Sequence, residues 1–192
     1  MARIRTFIAV ALSEPIRDAV VALQKELART GTAVKWVEPE NLHVTLVFLG
    51  EVEDRAIPQV CRITTDAVRG HAPFRLTVER TSAFPSPRRP RTLWVGIGAG
   101  VQELTAIHDA LEPPLKDLGY RMEDRQYTPH VTLGRIKSDN DTDQLAAALT
   151  KRAGWTGGEM TVHEVCVLSS ELTPDGPIYT VLGRAPLGSG GE

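Results

Sequence analysis

Cysteine is scarce in this chain of 192 residues: there are two, Cys61 and Cys166, and no Cys-x-x-Cys pair. This argues against a cysteine-based zinc cluster or a disulfide framework, so we expect two buried free thiols and a cytoplasmic protein. No apolar run approaches the ~20 residues of a membrane-spanning helix. The apolar run from Phe7 to Leu12 is too short for the core of a signal peptide, and a first strand explains it better.

Several catalytic signatures are missing as well. The sequence has no Gly-x-x-x-x-Gly-Lys phosphate loop, which argues against use of a nucleoside triphosphate. It has no Gly-x-Ser-x-Gly element, which argues against a serine triad. The formal net charge of −2 gives no overall attraction to nucleic acid, so any RNA contact would need a local basic patch.

What is present is a repeated motif, His-Val-Thr-Leu, which begins at His43 and again at His130. Side chains alternate between the two faces of a strand. In each copy the imidazole and the hydroxyl therefore share one face, and the valine and leucine share the other. The apolar pair is suited to a core, which leaves His43, Thr45, His130 and Thr132 to face something else.

The two motifs stand in a repeated architecture. Their histidines are 87 residues apart, and the same offset carries Asp54, which opens a predicted helix, onto Asp141, which opens another. Each half is predicted to run strand, helix, motif strand, helix, strand. We therefore predict an α+β fold in one two-lobed domain, with approximate halves 3–85 and 91–184 related by a pseudo-two-fold. Each lobe should contain an antiparallel-type sheet and two helices, with the motif strands facing a central cleft and 188–192 forming a flexible tail.

Three local patterns give further expectations. The segment Pro85–Arg91 is predicted to be a rigid basic loop. A helix predicted over Val101–Leu118 should kink or split at Pro113-Pro114. Met160–Leu168 is predicted to be a single strand, followed after a turn by another over Ile178–Arg184.

Two imidazoles in one cleft suit general acid–base catalysis. Unperturbed histidine has a pKa of ~6.5, so one protonated and one neutral copy can coexist near neutral pH. The threonine hydroxyls on the same face can donate hydrogen bonds to phosphate oxygens. Metal binding is the rival interpretation, but neither motif has a His-x-x-x-His, an Asp-x-His or a cysteine cluster near it. We therefore expect no metal and no cofactor.

The chain resembles the 2H phosphoesterase superfamily, whose hallmark is a pair of His-x-Thr-x motifs. It is similar in particular to the RNA 2′,3′-cyclic phosphodiesterase branch, also called the 2′-5′ RNA ligase family. Segments spread over nearly the whole chain carry this resemblance: Arg5–Ala9, Asn41–Leu46, Phe48–Gly50, Phe84–Arg91 with Leu93-Trp94, and Thr128–Leu133 with Arg135.

The resemblance implies hydrolysis of a terminal 2′,3′-cyclic phosphate to a 2′-phosphate. It implies that His43 protonates the departing 3′ oxygen, that His130 activates water, and that Thr45 and Thr132 hold the phosphate. The motifs are chemically symmetric, so their residues alone do not assign the two histidine roles. The resemblance also favours a phosphate contact for Arg135.

Other candidate residues keep two interpretations each. Strict alternation points Arg135 away from His130, unless Gly134 allows a bulge that re-aims it. Trp36 could stack on a terminal base or pack between lobes. The arginines of the basic loop could bind an RNA backbone or be ordinary solvated residues; they are Arg88, Arg89 and Arg91.

Two alternative functions remain open beside cyclic phosphodiester hydrolysis. One is 2′-5′ RNA ligation at the same site, which water at its usual concentration disfavours. The other is a non-catalytic module that binds RNA ends. We expect a monomer that acts on RNA carrying 2′,3′-cyclic phosphate ends, without membrane contact.

Overall fold

The computed structural model describes residues 2–138 and 141–188. The predicted tail, 188–192, lies outside these residues except for Gly188. Within them, nine strands form one sheet in which every pairing is antiparallel. The strands are β1 (Arg3–Ala11), β2 (Val34–Trp36), β3 (His43–Glu53), β4 (Phe74–Ser86), β5 (Arg89–Ile97), β6 (His130–Ile136), β7 (Thr156–Val162), β8 (Glu164–Thr173) and β9 (Gly176–Pro186).

Four α-helices accompany the sheet in the described part of the chain: α1 (Glu14–Ala28), α2 (Ile57–Val68), α3 (Val101–Asp117) and α4 (Asp143–Lys151). Their apolar faces, at helical spacing, pack with alternate strand residues into one hydrophobic core. None of these helices combines the length and the apolar character needed to cross a membrane. The predicted α+β class is confirmed.

The strand order is β7-β4-β5-β6-β3-β1-β8-β9, and β2 pairs with the free end of β6. The two motif strands, β3 and β6, are neighbours at the centre of this order. Strand β4, from the first half of the sequence, lies between β5 and β7, and β8, from the second half, lies beside β1. The segments 3–85 and 91–184 therefore exchange strands, and their relation by a two-fold stays a prediction.

Three local expectations are wrong. Residues 85–91 are not a free loop, because β4 and β5 extend through them and form a hairpin. The helix α3 is not split at Pro113 and Pro114: each proline removes one main-chain hydrogen bond, but the fully buried Leu111 and Leu115 fix the last turns to the core, and a kink there stays a prediction. The segment predicted as one strand over 160–168 is divided between β7 and β8.

The two cysteines are free thiols, as predicted. Cys166 is buried, whereas Cys61 on α2 is half-buried, so the expectation of two buried thiols holds for one of them.

Candidate active site

Three of the four polar motif residues line a common cleft, and His130 is not among its lining residues. Val44 and Val131 are paired across β3 and β6, and both are fully buried. The alternation of side chains then turns His43, Thr45 and Thr132 to the opposite face, where all three line one cavity of about 770 Å³. This volume lies within the ~300–1,000 Å³ typical of small-molecule sites.

Each motif histidine is oriented by the backbone two residues before it. His43 Nδ1 lies 2.6 Å from the carbonyl oxygen of Asn41, and His130 Nδ1 lies 2.7 Å from that of Thr128. A carbonyl oxygen only accepts, so Nδ1 carries a proton in both rings. The nitrogen that gains and loses a proton in each ring is therefore Nε2. That of His43 lies 2.8 Å from the hydroxyl oxygen of Thr45.

Aromatic rings support both imidazoles. The His43 ring centroid lies 5.0 Å from that of Phe7 and 5.5 Å from that of Tyr179. These contacts, with the 2.6 Å bond to Asn41, restrain the ring at its face, its edge and its nitrogen.

The His130 ring is supported in the same way. Its centroid lies 5.3 Å from that of Phe84 and 5.9 Å from that of Trp94. Phe7 is buried, whereas Trp94 is half-buried and lies beside the site. This position follows from pairing: Trp94 lies opposite Thr132, so the two side chains share the cleft face.

Burial and mutual repulsion govern the charge of the two histidines. Burial is the largest cause that lowers the pKa of His43 below 6.5; the bond to Asn41 opposes it, and the positive charge of His130 adds to it. The pKa of His130 is also lowered, mainly by burial and further by Arg135 and Arg125. Both rings therefore favour the neutral form at neutral pH.

A β-bulge turns Arg135 towards the cleft. On β5, Leu93 pairs with Gly134 and Trp94 pairs with Thr132, so Leu133 is the extra residue of β6. The bulge shifts the alternation by one residue, and Arg135 lines the same cavity as Thr132. Its Nη1 donates to Thr92 Oγ1 at 3.2 Å. The sequence left two alternatives for Arg135, pointing away from His130 or re-aimed by a bulge at Gly134, and the structure shows the second.

The bulge is held by contacts that the sequence did not reveal. The carbonyl oxygen of Leu133 accepts from Val37 N and from Gln24 Nε2, each at 2.9 Å. Gln24 Nε2 also donates to Val37 O at 2.9 Å. A Cβ on Gly134 would lie 2.7 Å from Val34 Cγ1, so β2 can approach only because this position is glycine.

The cavity continues between β2 and the tip of the β8–β9 hairpin. Trp36 lines it from β2, where a base could contact it, and also packs against the hydrophobic core. On the opposite side it is lined by Leu172, Pro177 and Tyr179. Asn41 Nδ2 donates to Pro177 O at 2.8 Å, which ties the hairpin to the residue that orients His43.

Sequence analysis missed the hairpin wall, which includes Tyr179, and did not predict that Arg5 and Phe48 line the cavity. The available signal was the turn Thr173–Pro177, but nothing local shows that it meets residue 41. The three arginines of the β4–β5 hairpin, by contrast, are not among the residues that line this cavity.

A possible metal cluster lies away from the motif histidines. Within residues 2–138 and 141–188, three candidate ligand side chains come together at His108, Asp109 and Glu112 on α3. The His108 ring stacks on Tyr127 at 4.3 Å between centroids, and Tyr127 Oη donates to Thr45 O at 2.8 Å. This arrangement supports the backbone of β3, and the acidic side chains beside it are a surface feature.

Comparison with known proteins places this geometry in context. The profile of the 2′-5′ RNA ligase superfamily matches residues 9–174. An RNA 2′,3′-cyclic phosphodiesterase of Methanothermobacter thermautotrophicus is 38% identical over 178 residues, which cover 93% of this chain and 96% of the relative. One from Archaeoglobus fulgidus is also 38% identical, with coverages of 91% and 96%.

Solved structures show the same fold. A protein of Thermus thermophilus superposes with a TM-score of 0.81 at 30% identity, over 95% of this chain and 97% of the other. The E. coli protein LigT, complexed with 3′-AMP, superposes with a TM-score of 0.78 at 25% identity, over 96% and 98% of the two chains.

Proposed function

This chain belongs to the 2′-5′ RNA ligase superfamily, and from that membership we propose that it is a phosphodiesterase that hydrolyses RNA 2′,3′-cyclic phosphate ends to 2′-phosphates. The relatives that cover most of its length carry the name RNA 2′,3′-cyclic phosphodiesterase. The observation that carries the mechanism is the matched orientation of two imidazoles. Both have Nδ1 bound to a backbone carbonyl, so that Nε2 is the nitrogen that exchanges protons.

The proposed reaction is an in-line displacement at phosphorus. His130 Nε2 takes a proton from water as the water oxygen attacks the phosphorus atom. The P–O3′ bond breaks, and His43 Nε2–H gives its proton to the departing O3′. The product is a 2′-phosphate with a free 3′-hydroxyl, and solvent restores the two protonation states. Each acid or base step is worth roughly 10²–10⁴ in rate.

The threonines and Arg135 would stabilise the charge on the phosphate. Thr45 and Thr132 line the cavity together with His43, and their hydroxyls can donate to the non-bridging oxygens. In the free enzyme the Thr45 hydroxyl donates to neutral His43 Nε2. Once His43 is protonated, Nε2 can no longer accept from this hydroxyl, and the hydroxyl proton is released to donate to the substrate.

This function needs one chain, RNA and water. We infer a cytoplasmic monomer that uses neither a metal ion nor a nucleoside triphosphate, because the proposed reaction takes its acid, base and phosphate donors from the side chains of the two motifs alone. Light scattering after size exclusion tests the monomer: a stable dimer would contradict it.

The test of the function is turnover of an RNA oligomer that ends in a 2′,3′-cyclic phosphate, with EDTA present and with 2′- and 3′-phosphate products resolved. We expect a 2′-phosphate. Loss of activity with EDTA would show that the histidines hold a metal. Binding without turnover would favour an RNA-end-binding module, and joining of two RNA ends through a 2′-5′ linkage in preference to hydrolysis would favour the ligase.

A further inference from the structure

The cavity extends beyond the reacting phosphate to a second cationic position. Phe48 on β3 occupies the place that Arg135 occupies on β6, since both lie five residues after the motif histidine. Both strands also have a bulge at the same place: Leu46 is the extra residue of β3, and Leu133 is that of β6. Phe48 is therefore turned into the cavity, where 41% of it stays exposed.

A guanidinium group covers this phenylalanine. The Cζ atom of Arg5, on β1, lies 4.9 Å from the centroid of the Phe48 ring. This is cation–π geometry, and it holds the planar group in one orientation. Across the described ranges 2–138 and 141–188, no carboxylate lies within 4.0 Å of the Arg5 guanidinium as an ion-pair partner. The charge is thus available to an external anion.

Arg5 is shared by two cavities. It lines the main cavity and also a smaller one of about 420 Å³. Arg135 lines the main cavity from the other motif strand, and Tyr179 lies in the field of both cations, since Arg5 and Arg135 both lower the pKa of its phenol against the larger effect of burial. An anion between the two guanidinium groups would also meet the neutral Tyr179 hydroxyl as a hydrogen-bond donor.

The spacing fits a second phosphate of the same strand. Phe48 lies three residues after Thr45, and one of these three is the bulge residue Leu46. The remaining two residue steps span about 7 Å along β3. Neighbouring phosphates of an extended RNA strand are separated by a similar distance. A phosphate held at Thr45 and Thr132 therefore places the preceding phosphodiester at the level of Arg5 and Phe48.

We propose that Arg5, oriented on Phe48, binds the phosphodiester that joins the terminal nucleotide to the rest of the RNA. The enzyme would then select the ends of RNA strands over cyclic mononucleotides. This inference rests on the proposed function, because it takes the reacting phosphate to lie between the two motif strands. It assigns Arg5 to substrate selection, separate from the proton transfers at His43 and His130.

The test compares two substrates, 2′,3′-cyclic AMP and the dinucleotide ApA with a terminal 2′,3′-cyclic phosphate. Loss of a charge-assisted hydrogen bond in Arg5→Ala should lower kcat/KM for the dinucleotide about 10- to 100-fold and leave that for cyclic AMP within about threefold. Arg29→Ala removes the same charge from the exposed end of α1 and should change neither value.

A methylphosphonate at the internal linkage removes the anion itself. The wild-type enzyme should lose a similar factor on this dinucleotide, and Arg5→Ala should lose nothing further. Equal losses on cyclic AMP and ApA in Arg5→Ala, or an undiminished preference for ApA, would overturn the inference.

Failure of the proposed function gives a different result, which is absence of wild-type turnover of both substrates. Binding of the two products then decides the inference by itself. ApA with a 2′-phosphate should bind more tightly than 2′-AMP to the wild type but not to Arg5→Ala, and equal affinities in the wild type would refute the subsite.

Discussion

Replacing Gln24 by methionine tests the mechanism by which a helix far from the chemistry shapes the cleft. Gln24 is 6% exposed, and its amide group donates to two carbonyl oxygens, those of Val37 and Leu133. Because both partners only accept, the NH₂ end must face them. Methionine fills a similar volume but donates nothing, so the change isolates these two hydrogen bonds.

The expected cost follows from what is left unpaired. Leu133 O keeps its bond from Val37 N, whereas Val37 O loses its Gln24 donor. Loss of the two hydrogen bonds, one to the part-buried Val37 O and one to the buried Leu133 O, should together cost ~1–3 kcal/mol in the free energy of unfolding. A domain with the usual ~5–15 kcal/mol of stability stays folded at 25 °C, so any loss of activity reports on geometry.

The assay pairs urea unfolding with kcat/KM on an RNA cyclic phosphate. Since the bulge at Leu133 aims Arg135, we expect kcat/KM to fall about 10-fold while the protein remains folded. Gln102→Met, at an exposed position of α3, is the matched control and should change stability by less than about 0.5 kcal/mol. Unchanged stability and activity in Gln24→Met would show that the Gln24 hydrogen bonds do not hold the bulge in place.

Three further predictions concern the same site. Burial lowers the pKa values of His43 and His130 below 6.5, so the free enzyme with one of the two histidines protonated is most populated below pH 6.5. The value of kcat/KM should therefore peak below pH 6.5, and a maximum above pH 7 would contradict this. Gly134→Ala should cost ~1–3 kcal/mol in urea unfolding and reduce kcat/KM, because the new methyl group meets β2; wild-type values would show that β2 can move aside. Tyr127→Phe removes the hydrogen bond to Thr45 O and should cost ~1 kcal/mol with the pH profile unchanged, whereas a shifted profile would assign the phenol a part in proton transfer.

The central features of the fold and the site could be predicted because short sequence patterns determine them. Alternation within His-Val-Thr-Leu places the histidines and threonines on one face, and the pairing of Val44 with Val131 agrees with it. The family resemblance is confirmed, and the glycine before Arg135 correctly raised the alternative of a bulge.

The features of the site that could not be predicted depend on contacts between distant parts of the chain. The hydrogen bond from Asn41 to Pro177 joins residues 136 positions apart, and nothing in either segment indicates the other. Gln24 is equally hidden, because a glutamine on an otherwise apolar helix face shows no partner until β2 and β6 are in place.

The division between β7 and β8 was also missed. A single residue, His163, separates β7 from β8, and the sequence does not say that the chain there leaves one edge of the sheet for a strand beside β1. Local propensity describes a strand well, but sheet order follows from long-range pairing.

The most direct test of the two-histidine account separates the acid from the base. A cyclic phosphate with sulfur in place of O3′ has a leaving group that needs no proton. On the normal substrate, His43→Ala and His130→Ala should each lower kcat by roughly 10²–10⁴. On the sulfur substrate we expect His43→Ala to approach wild-type activity and His130→Ala to stay impaired. Equal impairment of both variants on both substrates would contradict the assigned roles.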